Sequence, residues 1–314
     1  MFDSIKLWMP QERTGTSDIL AQTPVYLQSI TEHTKAGRIH YSGLLKNLNI
    51  YVSERGVSVK GSLAKFHLGD NIQTLTRSDT EQAVNRLSDE LHLSMQKADI
   101  SRVDFACNFI MKHKPEIYYP YLGESQYFDR HTKANSLYYE SGSRTKLFYD
   151  KLSEAKSKHV NIPERLKDSN ILRYEIRYKR RLGKQLHEPE ITAGTLFKEA
   201  FYIKLVERYV SEYQSIHKNA EISELESCFN TAIMNTPKDV KDQLALIGLM
   251  AIGQNRFTEL IEEWRAKDIL AKPEYYSRTK KDMRELAEKF DSSDSAPLIQ
   301  ELDKKVNKLK RFYR

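Results

Sequence analysis

Near residue 190 the spacing of apolar residues in this 314-residue chain changes, and that change restricts the fold more than any single motif. Upstream, apolar side chains alternate with polar ones, as in a strand with one buried face; downstream they recur every three or four residues, as along one stripe of a helix. In Ser101 to Phe109, Val103, Phe105, Cys107 and Phe109 point one way and Arg102, Asp104, Ala106 and Asn108 the other. Leu172 to Tyr178 repeats the pattern, with Leu172, Tyr174, Ile176 and Tyr178 set against Arg173, Glu175 and Arg177. Ile5 to Trp8 reads as a short strand and Tyr26 to Ser29 as a weaker one. From Ile39 the alternation runs through Leu48, Ile50 and Val52, turns at Glu54-Arg55-Gly56 and returns through Val57 and Val59, which predicts one long antiparallel hairpin. Ser78 with Glu81 reads as a capping box opening a helix whose apolar face is Ala83, Val84, Leu87 and Leu91. Beyond Leu182 no strand signal and no internal repeat is found. Thr195 opens a helix with Phe197, Phe201, Leu205 and Tyr209, and helical patterns follow at Ile222 to Met234, Val240 to Ile252, Phe257 to Leu270 and Met283 to Phe290. A last one carries Leu298, Leu302, Val306 and Leu309, after the linker-like DSSDSA at Asp291 to Ala296. Strands followed by helices predict an α+β fold, divided as residues 1–190 and 191–314.

Several classes are excluded early. The longest apolar run, Leu244 to Ile252, falls well short of the roughly 18 residues that cross a bilayer. The start, MFDSIKLWMPQER, lacks the basic-then-apolar order of a secretory signal. Two cysteines, Cys107 and Cys228, give neither a disulfide framework nor a zinc pattern, so a reducing cytoplasm is expected.

The net charge of +7 is concentrated. Lys133 to Lys184 holds 14 Lys and Arg against 6 Asp and Glu, a net of +8, so the remainder is nearly neutral. A local excess of this kind is the footprint of a polyanion, because neutralising phosphates releases counterions. The candidate contacts are Arg144, Lys146, Arg173, Arg177, Lys179, Arg180 and Arg181. The aromatic-rich stretch Glu116 to Arg130, with Tyr118, Tyr119, Tyr121, Tyr127 and Phe128, either stacks on unpaired bases or covers a small core.

Within the basic region lies SLYYESGSRTKLFYDK, Ser136 to Lys151. Ser141-Gly142-Ser143 supplies a turn between two β-favouring runs, and a helix is expected just after Tyr149. Tyr149 then stands at a strand end beside Asp150 and Lys151. Cations favour a phenolate and attract phosphates, and a carboxylate helps hold a metal ion. Asp104 and Glu175 are acids in mid-strand, and each needs a reason. One is an ion pair, for Asp104 with Arg102 or a neighbouring strand. The other is metal binding: if the two strands are neighbours, Asp104, Glu175 and Asp150 converge on an oxygen-lined site suited to Mg²⁺ or Mn²⁺.

Four blocks in order resemble rolling-circle replication initiators, the filamentous-phage gene II/X proteins and the trans-acting initiators of small staphylococcal plasmids. They are GSLAKFHLGDN at Gly61 to Asn71, Val103-Asp104-Phe105, the tyrosine block, and LRYEIRYKRRL at Leu172 to Leu182. The resemblance covers roughly residues 1–190. It implies an antiparallel-sheet nuclease domain with ferredoxin- or RRM-like elements, and an α-helical domain after it. It implies Tyr149 as nucleophile with Lys151 beside it, a Mg²⁺ or Mn²⁺ cofactor, and a nick that leaves a 5′-phosphotyrosine and a 3′-OH primer. The implied partners are origin DNA, a host helicase and polymerase, and a second copy of the chain. Many rolling-circle enzymes hold metal with a His-hydrophobic-His pair; none of the nine histidines here forms one, which favours the carboxylate branch. His67 is the one histidine inside a similar block. Tyr138 and Tyr139 compete with Tyr149 as nucleophiles. The rival functions are a non-catalytic single-strand nucleic-acid binder and a relaxase-type mobilisation nuclease.

Overall fold

The computed structural model describes residues 1–219, 236–252, 254–289 and 297–312. Ten of its strands form one antiparallel sheet: β1 (Phe2–Pro10), β2 (Gln28–Lys35), β3 (Arg38–Leu45), β4 (Leu48–Ser53), β5 (Gly56–Ser62), β6 (Asp99–Met111), β8 (Asp129–Lys133), β9 (Ser136–Glu140), β10 (Arg144–Asp150) and β11 (Asn170–Tyr178). Their spatial order is β2-β3-β4-β5-β1-β6-β11-β10-β9-β8. A small second sheet is made of β7 (Leu122–Ser125) and β12 (Ile216–Lys218). The α+β expectation holds, with strands first and helices after.

The order has a simple logic. β1 is followed by the meander β2 to β5, whose last strand returns beside β1; β6 is followed by β8 to β11, whose last strand returns beside β6. β1 and β6 pair with each other, antiparallel, at the centre. The two halves therefore share one topology, although no sequence repeat betrays it.

One face of the sheet is apolar. Phe2, Ile5 and Leu7 of β1, Val103 and Phe105 of β6 and Tyr174 and Ile176 of β11 pack there against the helices Arg77–Leu91 and Glu199–Gln214. Aromatic rings dominate: Phe148 stacks on Tyr174 at 4.4 Å between ring centroids, and Tyr174 meets Tyr209 at 4.6 Å. Many of the chain's 18 tyrosines are thus core residues. Tyr118, Tyr119 and Tyr121 are buried in the same way, which settles their part of the aromatic stretch as packing; Tyr127 alone is widely exposed.

Several local expectations need correction. The expected single hairpin is part of the four-stranded meander, because the chain also reverses at Lys46 and Asn47. β2 is exposed along its length and carries no alternation to read. The capping box of Arg77–Leu91 is Thr76 with Asp79, not Ser78 with Glu81; Thr76 has the extended backbone of an N-cap, whereas Ser78 lies inside the helix. Thr195 lies in a 3-10 turn, Ala193–Phe197, and the α-helix starts at Glu199. β12 is a strand where none was read, held by its pairing to β7 rather than by its own pattern. The helices Pro237–Ile252 and Gln254–Ala266 agree in place with the periodicity, the second stopping short of Leu270, whereas Pro273–Lys289 begins ten residues before the expected Met283. The pattern at Ile222 to Met234, the DSSDSA segment and Cys228 lie outside the described residues. The last helix, Pro297–Phe312, places Ile299, Leu302, Val306 and Leu309 in the core of the sheet.

Candidate functional site

The tyrosine block folds as expected. β9 and β10 form a hairpin around Ser141 to Ser143, with Thr145 opposite Glu140 and Tyr149 opposite Ser136. A helix, Lys151–Ser157, begins at the next residue but one after Tyr149 because Asp150 caps it. The Asp150 carboxylate accepts bonds from Leu152 N at 2.8 Å, Ser153 N at 3.0 Å and Ser153 Oγ at 2.7 Å.

β6 and β11 are neighbours, with Arg173 opposite Asn108, Glu175 opposite Ala106 and Arg177 opposite Asp104. Their charged residues share the face turned away from the apolar core, and they form a ladder of alternating sign. Arg102 grips Asp104 with two bonds, Nε at 2.8 Å and a terminal nitrogen at 2.5 Å. Arg177 Nε lies 4.0 Å from Asp104 and donates to Glu175 Oε1 at 2.6 Å. Arg173 Nε donates to the other Glu175 oxygen at 3.2 Å, and its far end donates to Asp3. Asp3 accepts in addition from Ser62 Oγ at 2.5 Å and from Asn71 Nδ2 at 3.4 Å. Its position follows from a bulge in β1, where the pairing with β6 shifts between Phe2 and Ile5 and one residue more than the partner needs is turned aside.

Tyr149 joins this ladder from β10. Its hydroxyl donates to Glu175 Oε2 at 3.3 Å. Burial pushes the phenol well above its ordinary pKa, and Glu175 adds to that shift while Arg173 opposes it. The tyrosine therefore rests protonated. Glu175 is desolvated, but the two arginines outweigh burial and hold its carboxyl down at about 2. Asp104 goes the other way: burial, aided by the Glu175 charge and opposed by Arg102, raises it to about 6. Lys151 is buried too, its amine on Asn71 Oδ1 at 2.9 Å and Glu154 Oε2 at 2.7 Å, and desolvation lowers its pKa.

The expected residues thus divide. Tyr149, Glu175, Arg173, Arg177 and Asp104 are brought together, and Lys151 is linked to them through Asn71. Asp150 is engaged in capping its own helix. Arg173 is wholly buried and contacts protein rather than solvent. Lys146 is corrected as a nucleic-acid contact: it is 0% exposed on the opposite face, its amine held by Glu212, Ser125 and Ser215. Arg144 pairs with the same Glu212. Lys179 is half-buried, whereas Arg180 and Arg181 are exposed beyond the end of β11. Tyr139 faces the core and donates to the carbonyls of Leu122 and Gly123 at 2.9 and 2.7 Å. Tyr138 shares the open face with Tyr149, on the adjacent strand, and stacks on His131. Asp3, Asn71 and Asn108 join the site without having been singled out. Asn71 stands at the end of the GSLAKFHLGDN block, so position in that block was the one available signal.

The donor chemistry of Asp104 and Glu175 suits a hard divalent ion. In the described geometry their oxygens are taken by Arg102, Arg173 and Arg177, and no group of three His, Cys, Asp or Glu residues able to hold a metal occurs among the described residues. Binding an ion there requires Arg177 to yield its place between the two carboxylates.

No helix among the described residues is long and apolar enough to cross a membrane. Residues 1–216 match the sequence family Phage_CRI, described as the N-terminal region of a replication-associated protein. No curated protein matches the chain.

Proposed function

The chain belongs to the Phage_CRI family of replication-associated proteins, a family of phage replication initiators, and from that premise we propose that it nicks and rejoins one strand of its replication origin through Tyr149. The phenolic oxygen bonds to a backbone phosphorus, and the bond from phosphorus to the 3′-oxygen breaks. The 5′ end stays on the protein as a phosphotyrosine, the phenol proton passes to water, and the leaving 3′-oxygen takes up a proton to become the primer for a polymerase. Rejoining reverses the exchange, because the ester bond is conserved.

The observation that carries this reading is the position of the Tyr149 hydroxyl on Glu175 Oε2, beside Arg173, at the end of a strand and half-open to solvent. Glu175 orients the phenol. Arg173 favours the phenolate as it forms, and Arg177 and Arg102 are exposed enough to meet phosphate oxygens. Asp104 and Glu175 are the proposed ligands of a Mg²⁺ or Mn²⁺ ion, which when bound supplies further positive charge at the phosphate. Origin DNA is the substrate, a host helicase and polymerase act next, and a second copy of the chain is a proposed partner.

The test uses a 3′-labelled origin oligonucleotide with Mn²⁺. Labelled protein should survive denaturation for the native chain and vanish for Tyr149→Phe, which keeps the ring and its packing. Adduct persisting in Tyr149→Phe moves the nucleophile to Tyr138, the other tyrosine of that hairpin on the open face. Absence of any adduct from the native chain, with DNA binding intact, favours the non-catalytic binder.

A further inference from the structure

On the open face of the sheet, away from the tyrosine, Lys60 of β5 lies directly opposite Lys6 of β1, and Lys6 lies directly opposite Arg102 of β6. Like charges placed opposite each other across a ladder repel and weaken a sheet. Lys6 and Lys60 are exposed and form no ion pair among the described residues; of the three cations in the row only Arg102 has a carboxylate beside it, that of Asp104. Beside them the sheet is hollowed. A cavity of about 410 Å³ opens between β3, β4, β5 and β1, lined by Lys6, Lys60, Asn49, Tyr51, Ser42 and Ser58 among others. Tyr51 is 41% exposed, its ring meeting that of His40 at 5.1 Å between centroids with the remainder open to solvent. Two cations, a partly exposed aromatic ring and short hydrogen-bonding side chains are the parts that hold a nucleotide: charge for the phosphate, ring for the base, amide and hydroxyl for its edges.

The row leads to the candidate active site. From Lys60 it crosses Lys6 to Arg102, which grips Asp104, and continues to Arg177, Glu175 and Tyr149. From β5 to β10 is four strand steps of about 4.8 Å, and from the Arg102 level to the Asn108–Arg173 level is six residues of about 3.4 Å. The diagonal is about 28 Å, which is about eight nucleotides if the strand stays stacked at about 3.4 Å each and fewer where it is drawn out.

Resting on the nicking function proposed above, we propose that the Lys6–Lys60–Tyr51 hollow is a second DNA subsite, which holds single-stranded DNA at most about eight nucleotides from the phosphate that Tyr149 attacks. It serves to anchor the strand that leads into the active site. An unpaired strand is favoured over a duplex because the lining of the hollow includes a partly exposed ring, on which only an unstacked base can pack.

The test measures binding of the full chain to oligothymidylates from about 4 to about 16 nucleotides, by fluorescence anisotropy over a range of salt. Native affinity should rise steeply at the length that first spans both sites, about eight nucleotides or fewer. The double variant Lys6→Gln/Lys60→Gln should lose that rise, and its salt slope with the longest strand should fall by about 1.4, at about 0.7 per phosphate contact on single strands. Tyr51→Ala should weaken binding of long strands about tenfold and leave the shortest unaffected, with Tyr51→Phe restoring it. Circular dichroism of each variant shows that the fold is kept, as these side chains are exposed. Unchanged length dependence and slope in the double variant overturn the subsite. A larger loss for duplex than for single strands of equal length overturns the assignment of its occupant. Because binding is read without cleavage, failure of the native chain to form a covalent adduct counts against the nicking function and leaves this result standing.

Discussion

Arg173 has no contact with solvent, yet its guanidinium serves Asp3, Glu175, Asn108 Oδ1 and the carbonyl of Asn71 at once. Removing one carboxylate leaves a buried charge partly unpaired, which costs about 3–5 kcal/mol when uncompensated. Glu175→Gln should therefore lower both nicking and thermal stability, whereas Asp104→Asn should lower nicking at a smaller cost, since Arg102 and Arg177 both reach solvent. Nicking at native rates in limiting Mn²⁺ by either variant removes that residue from the metal proposal. The two acids also give stability opposite dependences on pH. Glu175, held at about 2, contributes stability that is present above its ordinary value near 4.5 and lost as pH falls toward 2. Asp104, raised to about 6, binds its proton more tightly folded than unfolded, so its contribution to stability falls as pH rises from about 4 to about 6. Chemical denaturation across that window should show the decline in the native chain and a flatter profile in Asp104→Asn. Asp104 and Glu175 were legible because an acid in mid-strand needs a charge partner or a ligand. Asp3 and Asn71 were not, since a bulge and a loop bring them to Arg173 from about a hundred residues or more away, and nothing local marks the destination.

At the scale of the element, β10 carries chemistry on one face and structure on the other. Tyr149 points to the ladder, while Lys146, three residues earlier, points to the helix Glu199–Gln214 and lies 3.1 Å from a Glu212 carboxylate oxygen. Sequence placed both residues on one strand and both in a basic cluster, but period two sends odd and even positions to opposite faces, and only the register with β11 says which face is buried. Lys146→Ala should cost about 3 kcal/mol or more in stability, because Glu212 loses one of its buried partners and a cavity opens. It should leave the salt slope of DNA binding unchanged at temperatures where the fold persists. By contrast, neutralising Arg177, Arg180 and Arg181, which reach solvent, should flatten that slope by about one unit for each phosphate no longer neutralised. A flattened slope in Lys146→Ala alone would return that lysine to the DNA surface. β2 is touched only by the weak strand read at Tyr26 to Ser29, which shares Gln28 and Ser29 with it and otherwise covers the end of the turn Pro24–Tyr26; an edge strand exposed on both faces has no apolar alternation to report.

Across the whole molecule, the change of period near residue 190 marks a change of element type within one core. Residues of Glu199–Gln214 and of Pro297–Phe312 pack in the same apolar cluster as both halves of the sheet. The last helix is tied there by polar bonds as well: Glu301 accepts from Tyr118 Oη at 2.5 Å, and Asp303 accepts from Tyr213 Oη at 2.6 Å. The three helices before it pack on one another around Ile261 and Tyr276, whose hydroxyl meets Leu270 N at 2.7 Å. Periodicity identified each helix, but an apolar stripe on a helix does not name the surface that covers it. Two independent units divided at 190 would predict that Leu302→Ala shifts only the transition of the helical part. A shared core predicts that the sheet goes with it. Truncating a buried leucine costs about 2–5 kcal/mol, which for a chain of this size is a large share of the total stability. Thermal unfolding followed by near-ultraviolet circular dichroism, to which the Phe148–Tyr174–Tyr209 stack of the sheet face contributes, should therefore move to lower temperature in Leu302→Ala. Leu246→Ala, placed in the three-helix group, should leave that aromatic signal's midpoint closer to native. An unmoved aromatic transition in Leu302→Ala would separate the last helix from the sheet's core.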